Sequence, residues 1–264
     1  MDKVQELEYL AFAREIIRRA GAIANGYFRR PIPIDSKAVG SGFDPVTAAD
    51  REIEAFLREE IAAKYPDHAI LGEEQAERSG SSGWRWVIDP IDGTRAFISG
   101  SPLWGILLGL MQGDNCMLGL MYQPYMQEIF YGSSAGAFLE RGQETRPLAT
   151  RATRDLDTAT LYCTHPSMFT DEQEYLRFMN VADRCRLMRY GGDCYAYCLL
   201  AGGYIDVVIE HVGGPYDIVP LIPIIEAAGG VVTDWQGNAA IAGEQILAAA
   251  NQVVHEQVLS ILNA

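Results

Sequence analysis

Two aspartates three positions apart, Asp89 and Asp92, follow directly on Trp86, Val87 and Ile88 and precede Gly93 and Thr94. The apolar residues predict the end of a buried strand. Both carboxylates would then leave that strand at its carboxyl end, where α/β proteins place ligands. Carboxylates crowded at a dry strand end repel one another unless they share a proton or hold a cation. Hard divalent cations such as Mg²⁺ take carboxylate, carbonyl and water oxygens. The run Asp89-Pro-Ile-Asp-Gly-Thr94 offers the first two kinds. An acidic pair of this spacing can also sit in a solvated turn. The preceding apolar residues favour a Mg²⁺ site instead, completed by other parts of the chain.

Three further acidic positions stand where elements begin or end. Asp50 falls in the first turn of a helix predicted from the N-cap Thr47 to Tyr65, with Ile53, Phe56, Leu57 and Ile61 on its apolar face. By itself Asp50 reads as a carboxylate favoured by the helix dipole. A short strand, Ala69 to Leu71, ends in Gly72-Glu73-Glu74, so neighbouring strand ends deliver Glu73 or Glu74 and then Asp89 and Asp92. Asp217 begins a helix after a glycine-proline approach, Gly213-Gly-Pro-Tyr-Asp217.

The elements that must hold these residues follow from periodicity. Residues 3–28 predict an amphipathic helix ended by Pro31 and Pro33, and 31–46 a mobile loop or loose hairpin. Strands are predicted at 84–88, 103–111, 116–122, 127–132 and 136–140. Turn and charged residues cluster at 141–155, which suggests an N-terminal half, 1–145, and a C-terminal half, 146–264. In the second half strands at 159–164, 185–190 and 205–210 alternate with helices at 171–182 and 194–202. A helix at 216–229, irregular because of Pro220 and Pro223, precedes strands at 230–235 and 245–250 and a last helix from 252. The alternation predicts an α/β layer.

Composition narrows the function classes. The chain has 264 residues, 48% apolar and 21% charged, with a net charge of −14. That balance fits a folded enzyme and disfavours nucleic acid or an anionic membrane as partner. An acidic protein acting on phosphate esters needs metal ions to reverse the local field. The five cysteines lack a Cys-x-x-Cys pattern and read as free thiols of a reducing compartment. The N-terminal residues lack the basic and apolar segments of a secretory signal, so the expected location is the cytoplasm.

Four motifs in order, Asp44-Pro-Val-Thr-Ala-Ala-Asp50, Gly72-Glu-Glu74, Trp86 to Thr94, and Pro215-Tyr-Asp217 with its helix ending in Glu-Ala-Ala-Gly-Gly230, cover nearly the whole chain. In these the sequence resembles the inositol monophosphatase family of Mg²⁺-dependent, lithium-sensitive phosphomonoesterases. The resemblance implies a five-layer α-β-α-β-α sandwich, a homodimer, two to three Mg²⁺ ions and a small-molecule phosphate ester as substrate. It implies that Glu73, Asp89 and the Ile91 carbonyl hold one ion, and that Asp89, Asp92 and Asp217 hold a second. A third, weaker ion would lean on Glu73. Thr94 and Asp50, hydrogen-bonded to each other, would activate a metal-bound water, and the Gly93 and Thr94 amides would hold the phosphate.

Within the family, Arg189-Tyr-Gly-Gly-Asp-Cys-Tyr-Ala-Tyr197 followed by Pro215-Tyr-Asp217 looks like the histidinol-phosphatase branch. Inositol-cleaving members usually carry Gly-(Thr/Ser)-Ala and Trp-Asp at these places. Asp193, with Glu210, would suit the ammonium of histidinol phosphate; Asp193 also reads as a helix N-cap. Tyr195 and Tyr197 could flank an imidazole, and His211 could reach substrate. The alternatives are an inositol or other sugar-alcohol phosphatase, a nucleotide phosphatase, and a catalytically inactive relative that serves as a binding partner. If Asp89 bridges two ions, Asp89→Asn is expected to lose more Mg²⁺-dependent phosphatase turnover than Asp92→Asn. Near-normal turnover in Asp89→Asn would remove the bridging role.

Overall fold

The computed structural model describes residues 1–36 and 45–264. Helix α1, Lys3–Tyr27, starts where the Asp2 side chain accepts the Gln5 amide, and it buries Phe12, Ile16, Ile17, Ala20 and Ala24. Strands β1, Ile34–Ser36, and β2, Pro45–Thr47, pair antiparallel, so the ends of the expected loose hairpin meet. Its residues 37–44, Asp44 included, lie outside the described residues. Helix α2, Ala48–Lys64, is opened by Thr47 as N-cap and Asp50 as its reciprocal partner, a capping box.

A seven-stranded sheet follows in the order β3-β4-β5-β6-β7-β8-β9. Strand β3, Ala69–Gly72, lies parallel to β4, Trp84–Asp92. The five-residue helix α3, Thr94–Ile98, then leads into an antiparallel meander. The meander runs through β5, Gly105–Gln112, β6, Asn115–Gln123, β7, Glu128–Ser133, β8, Gly136–Arg141, and β9, Glu144–Pro147. Strand β9 falls where only turn residues were expected, and all four of its residues are exposed. An edge strand with no buried face leaves no hydrophobic alternation to read.

The second sheet has the order β11-β10-β12-β14-β13. Strand β10, Thr160–Cys163, helix α4, Glu172–Ala182, strand β11, Leu187–Tyr190, helix α5, Asp193–Ala201, and strand β12, Val207–Val212, form its parallel part. The predicted helix at 216–229 is two short helices, α6, Pro215–Ile218, and α7, Ile222–Ala227. Pro220 lies in the break, because it can neither donate to the helix nor fit against the preceding turn. Antiparallel strands β13, Val231–Thr233, and β14, Glu244–Ala249, and helix α8, Gln252–Leu262, complete the chain.

The elements stack as five layers, α1 and α2 on the seven-stranded sheet, α5, α6 and α7 between the sheets, and α4 and α8 outside the five-stranded one. Separate apolar cores fill the spaces. Ile16, Ile53, Trp86 and Leu108 belong to the first, Leu107, Tyr197, Leu221 and Ile224 to the middle one, and Phe178, Trp235 and Val258 to the last.

The middle layer touches the first sheet backbone to backbone. Gly109, Gly119 and Gly132 stand opposite one another across β5, β6 and β7. A β-carbon on Gly119 would overlap the Pro220 carbonyl, and one on Gly132 the Pro223 carbonyl. Glycine is required here by the close approach. Gly119→Ala is therefore expected to destabilise the protein by about 1–3 kcal/mol in urea unfolding. Gly26→Ala, in α1 with nothing within 4 Å of the added carbon, should leave stability unchanged or raise it by up to about 1 kcal/mol. Equal effects would show that the glycine row is not a contact surface.

Candidate metal and phosphate site

Strand β4 carries two acids on one side only because it is irregular. Residues three apart on a regular strand point to opposite faces. Between Asp89, opposite Leu107, and Asp92, opposite Gly105, β4 has one residue more than β5. This bulge occurs at Pro90-Ile91, where proline cannot donate to the ladder. It returns Asp92 to the face of Asp89. The Asp-Pro-Ile-Asp spelling was the available signal for the bulge.

Asp217 comes from the other side. Its Oδ2 accepts the amides of Gly213 at 2.7 Å and Gly214 at 3.0 Å, which ties it to the start of α6. One carboxylate oxygen each from Asp89, Asp92 and Asp217 lie within 4.8 Å of one another. Asp89 Oδ1 accepts the Ile91 amide at 3.0 Å, and Asp92 Oδ1 accepts the Cys194 amide, in the first turn of α5, at 2.7 Å.

Burial pushes the Asp89 carboxyl well above the ordinary range, and the charges of Glu73, Asp92 and Asp217 push it further. Burial does the same to Asp92, with Asp217 and Asp193 adding to it. Glu73, in the turn after β3, thus stands close enough to Asp89 for the two charges to oppose each other. A cluster of like charges with Asp89 buried and Asp92 and Asp217 half-buried, made only of oxygen donors, suits a hard divalent cation.

Asp50 is buried, and its Oδ2 accepts the Thr47 amide at 2.8 Å and the Thr47 hydroxyl at 2.6 Å. The Thr94 hydroxyl donates to the Ile91 carbonyl at 3.1 Å, rather than to Asp50 as the family resemblance implied. The reason is local. Thr94 opens α3 three residues after Ile91, while the Thr47 hydroxyl already faces Asp50 in the capping box. A carbonyl has two lone pairs, so Ile91 keeps one for another partner. Gly93, at φ 83°, turns the chain into α3 in a conformation that favours glycine.

Asp193 lies over this turn. A β-carbon on Gly93 would be 3.0 Å from the Asp193 Cβ and Cγ. The N-cap of α5 is Gly192, not Asp193; Asp193 is its first residue, at φ 45°. The Asp193 amide donates to Thr164 Oγ1 at 2.9 Å, and the Thr164 amide donates to Glu210 at 2.7 Å. Tyr197 donates to the other Glu210 oxygen at 2.9 Å. Burial lifts Asp193 to about 6, opposed by the positive charge of Arg95. Burial lifts Glu210 to about 7 against the hydrogen bonds of Thr164 and Tyr197.

Thr164 and Arg95 were missed in the sequence. Thr164 directly follows a strand, the place parallel strands use for ligands, and that was its one signal. Tyr197 is buried and braces Glu210, and Tyr195 donates to Glu128 on β7. His211 follows Glu210 on β12 and so points to the opposite face, where its Nδ1 lies 3.2 Å from Glu174 of α4.

Fold and site together define a layered α/β protein with an acidic centre suited to cations beside a glycine turn. A profile of the inositol monophosphatase family matches residues 5–264. The "bifunctional phosphatase IMPL2, chloroplastic" of Arabidopsis thaliana is 36% identical over 265 residues, covering 96% of this chain and 75% of that protein. A histidinol-phosphatase of Chlorobaculum parvum is 32% identical over 255 residues, 96% of each chain. Among solved structures, an inositol monophosphatase from Zymomonas mobilis superposes with a TM-score of 0.86 at 32% identity, covering 100% of both chains. The chain belongs to the inositol monophosphatase family, and with it to the phosphatases. Among the described residues no helix is long and apolar enough to cross a membrane.

The raised carboxyls predict a pH response. A carboxyl with a raised folded-state pKa binds its proton more tightly folded than unfolded. Its stabilising contribution is full below about pH 4 and is lost as pH rises through the folded value. Metal-free protein should therefore lose stability as pH rises toward neutrality. Asp89→Asn in EDTA is expected to melt above the parent at neutral pH, with the gap closing near about pH 4. A variant that melts lower at neutral pH would show that the cluster is not repulsive.

Proposed function

We propose that the protein is a Mg²⁺-dependent phosphomonoesterase that hydrolyses histidinol phosphate to histidinol and phosphate. Glu73, Asp89, the Ile91 carbonyl, Asp92 and Asp217 would hold the metal. When bound, Mg²⁺ neutralises developing charge and lowers the pKa of a bound water. Asp50 and Thr94 would orient that water and take its proton. The Gly93 and Thr94 amides, at the start of α3, would receive the phosphate oxygens; backbone N–H groups at a helix start favour anions. No covalent nucleophile is then needed.

The observation that carries the substrate reading is the second acidic pair. Asp193 sits against Gly93 and is joined through Thr164 to Glu210. An ester bound at Gly93 would therefore meet an acidic wall made by the half-buried Asp193, with the buried Glu210 joined to it through Thr164. Inositol offers that wall only hydroxyls, whereas histidinol phosphate offers an ammonium. A hydrogen bond between charged groups is worth about 1.5–3 kcal/mol. The Chlorobaculum parvum relative, named a histidinol-phosphatase, supports this choice. The Zymomonas mobilis neighbour, named an inositol monophosphatase, makes inositol-1-phosphate the substrate to compare.

Phosphate release measured side by side at equal Mg²⁺ is expected to be faster from histidinol phosphate and abolished by EDTA. Asp193→Asn should raise KM for histidinol phosphate by about ten- to a hundred-fold and leave KM for inositol-1-phosphate nearly unchanged. Faster release from the inositol ester would overturn the substrate assignment. No release from any phosphomonoester would favour a binding role.

A further inference from the structure

Glu54 stands one helical turn beyond Asp50 on α2 and is fully buried. Its Oε2 accepts the Glu74 amide at 2.7 Å, and its Oε1 accepts the Gln75 amide at 3.1 Å. Arg58, one turn further on, donates its Nε to Glu54 Oε1 at 2.7 Å and its NH2 group to the Gln75 carbonyl at 2.9 Å. The main chain that follows Glu73 is thus gripped at three atoms by one helix. On the other side of Glu73, a β-carbon on Gly72 would overlap the Glu54 carboxylate, so the turn closes directly onto this acid.

A buried ion pair is an expensive way to cover a helix face. Apolar residues of similar volume often do so at no loss of stability. An apolar side chain could not, however, accept two backbone amides. The charge at Glu54 is therefore spent on the conformation of Gly72 to Gln75.

We propose that Glu54, supported by Arg58, is a positioning residue for Glu73. It fixes the backbone on which Glu73 is carried, so that the Glu73 carboxylate is presented to Asp89. Asp50 and Glu54 share one helix and one buried face, so α2 sets the place of the proposed water-orienting acid and of a proposed metal ligand together. This inference rests on the metal-dependent phosphatase reading above.

The test follows the melting temperature of the full chain against Mg²⁺ concentration, which gives a binding midpoint independent of turnover. Glu54→Gln sets an amide NH2 against a backbone N–H or Arg58. It is expected to raise the Mg²⁺ midpoint about ten- to a hundred-fold, the usual cost of removing a group that orients a metal ligand. Glu54→Asp, which keeps the charge but is one methylene shorter, should shift it in the same direction. Asp206 is the structural control, an equally buried carboxylate directly before β12 that accepts from Arg151 at 2.8 Å and the Thr160 amide at 2.8 Å. Asp206→Asn should lower the melting temperature without moving the midpoint. In a Glu73→Gln background, Glu54→Gln should add no further shift.

An unmoved midpoint in both Glu54 variants overturns the proposal. So does an equal shift in Asp206→Asn or a fully additive shift in the double variant. A parent protein whose melting temperature ignores Mg²⁺ overturns the metal reading itself, and the proposal with it.

Discussion

Three carboxylates forced within 4.8 Å of one another are the constraint around which the rest of the structure is arranged. Like charges at this range in a poorly solvated place cannot all persist unless something opposes them. The protein opposes them weakly with its own dipoles. Asp89 receives the Ile91 amide, Asp92 the Cys194 amide, and Asp217 the amides of Gly213 and Gly214. These hydrogen bonds favour the charged forms, yet burial wins at Asp89 and Asp92, whose carboxyls remain well above their ordinary range. The cluster is left with an unmet demand for positive charge, and folding energy from the apolar cores holds it in that state.

Much of this was legible from residue types alone. The apolar run Trp86 to Ile88 announced a strand end, Thr47 announced a helix start, and the four motifs pointed to the family whose profile the chain matches. What sequence could not deliver was direction. Asp193 reads from sequence as an N-cap, but Gly192 takes that place, at a φ of 135° that favours glycine. His211 was placed near substrate by adjacency to Glu210, whereas strand alternation turns it toward Glu174. Strand β9 escaped notice for want of a buried face. The row of Gly109, Gly119 and Gly132 was visible as residues, but its meaning depends on a register that brings three strands side by side.

The acidic residues fall into two groups with different physical work. Asp89, Asp92 and Asp217 converge on one volume and repel. Asp193 and Glu210 are joined through Thr164, whose hydroxyl accepts the Asp193 amide and whose own amide donates to the Glu210 carboxylate. The first arrangement demands a cation of high charge density. The second sets the half-buried Asp193 beside the buried Glu210, an arrangement of lower charge density in which a larger organic cation could meet Asp193. Gly93 lies where the two groups adjoin, so a phosphate ester held there would be read at one end for its charge and at the other for its substituent.

The contact of Pro220 and Pro223 with the glycine row has a mechanical consequence. Where side chains separate two layers, a shift of an ångström can be absorbed by rotamer changes. Where main-chain atoms meet directly, as at Gly119 and Pro220, the repulsive wall is steep and nothing can rotate out of the way. The joint between the first sheet and the segment that carries Asp217 is therefore stiff by construction. Thermal sliding of one layer over the other is resisted there first, and compliance must be found in turns and loops.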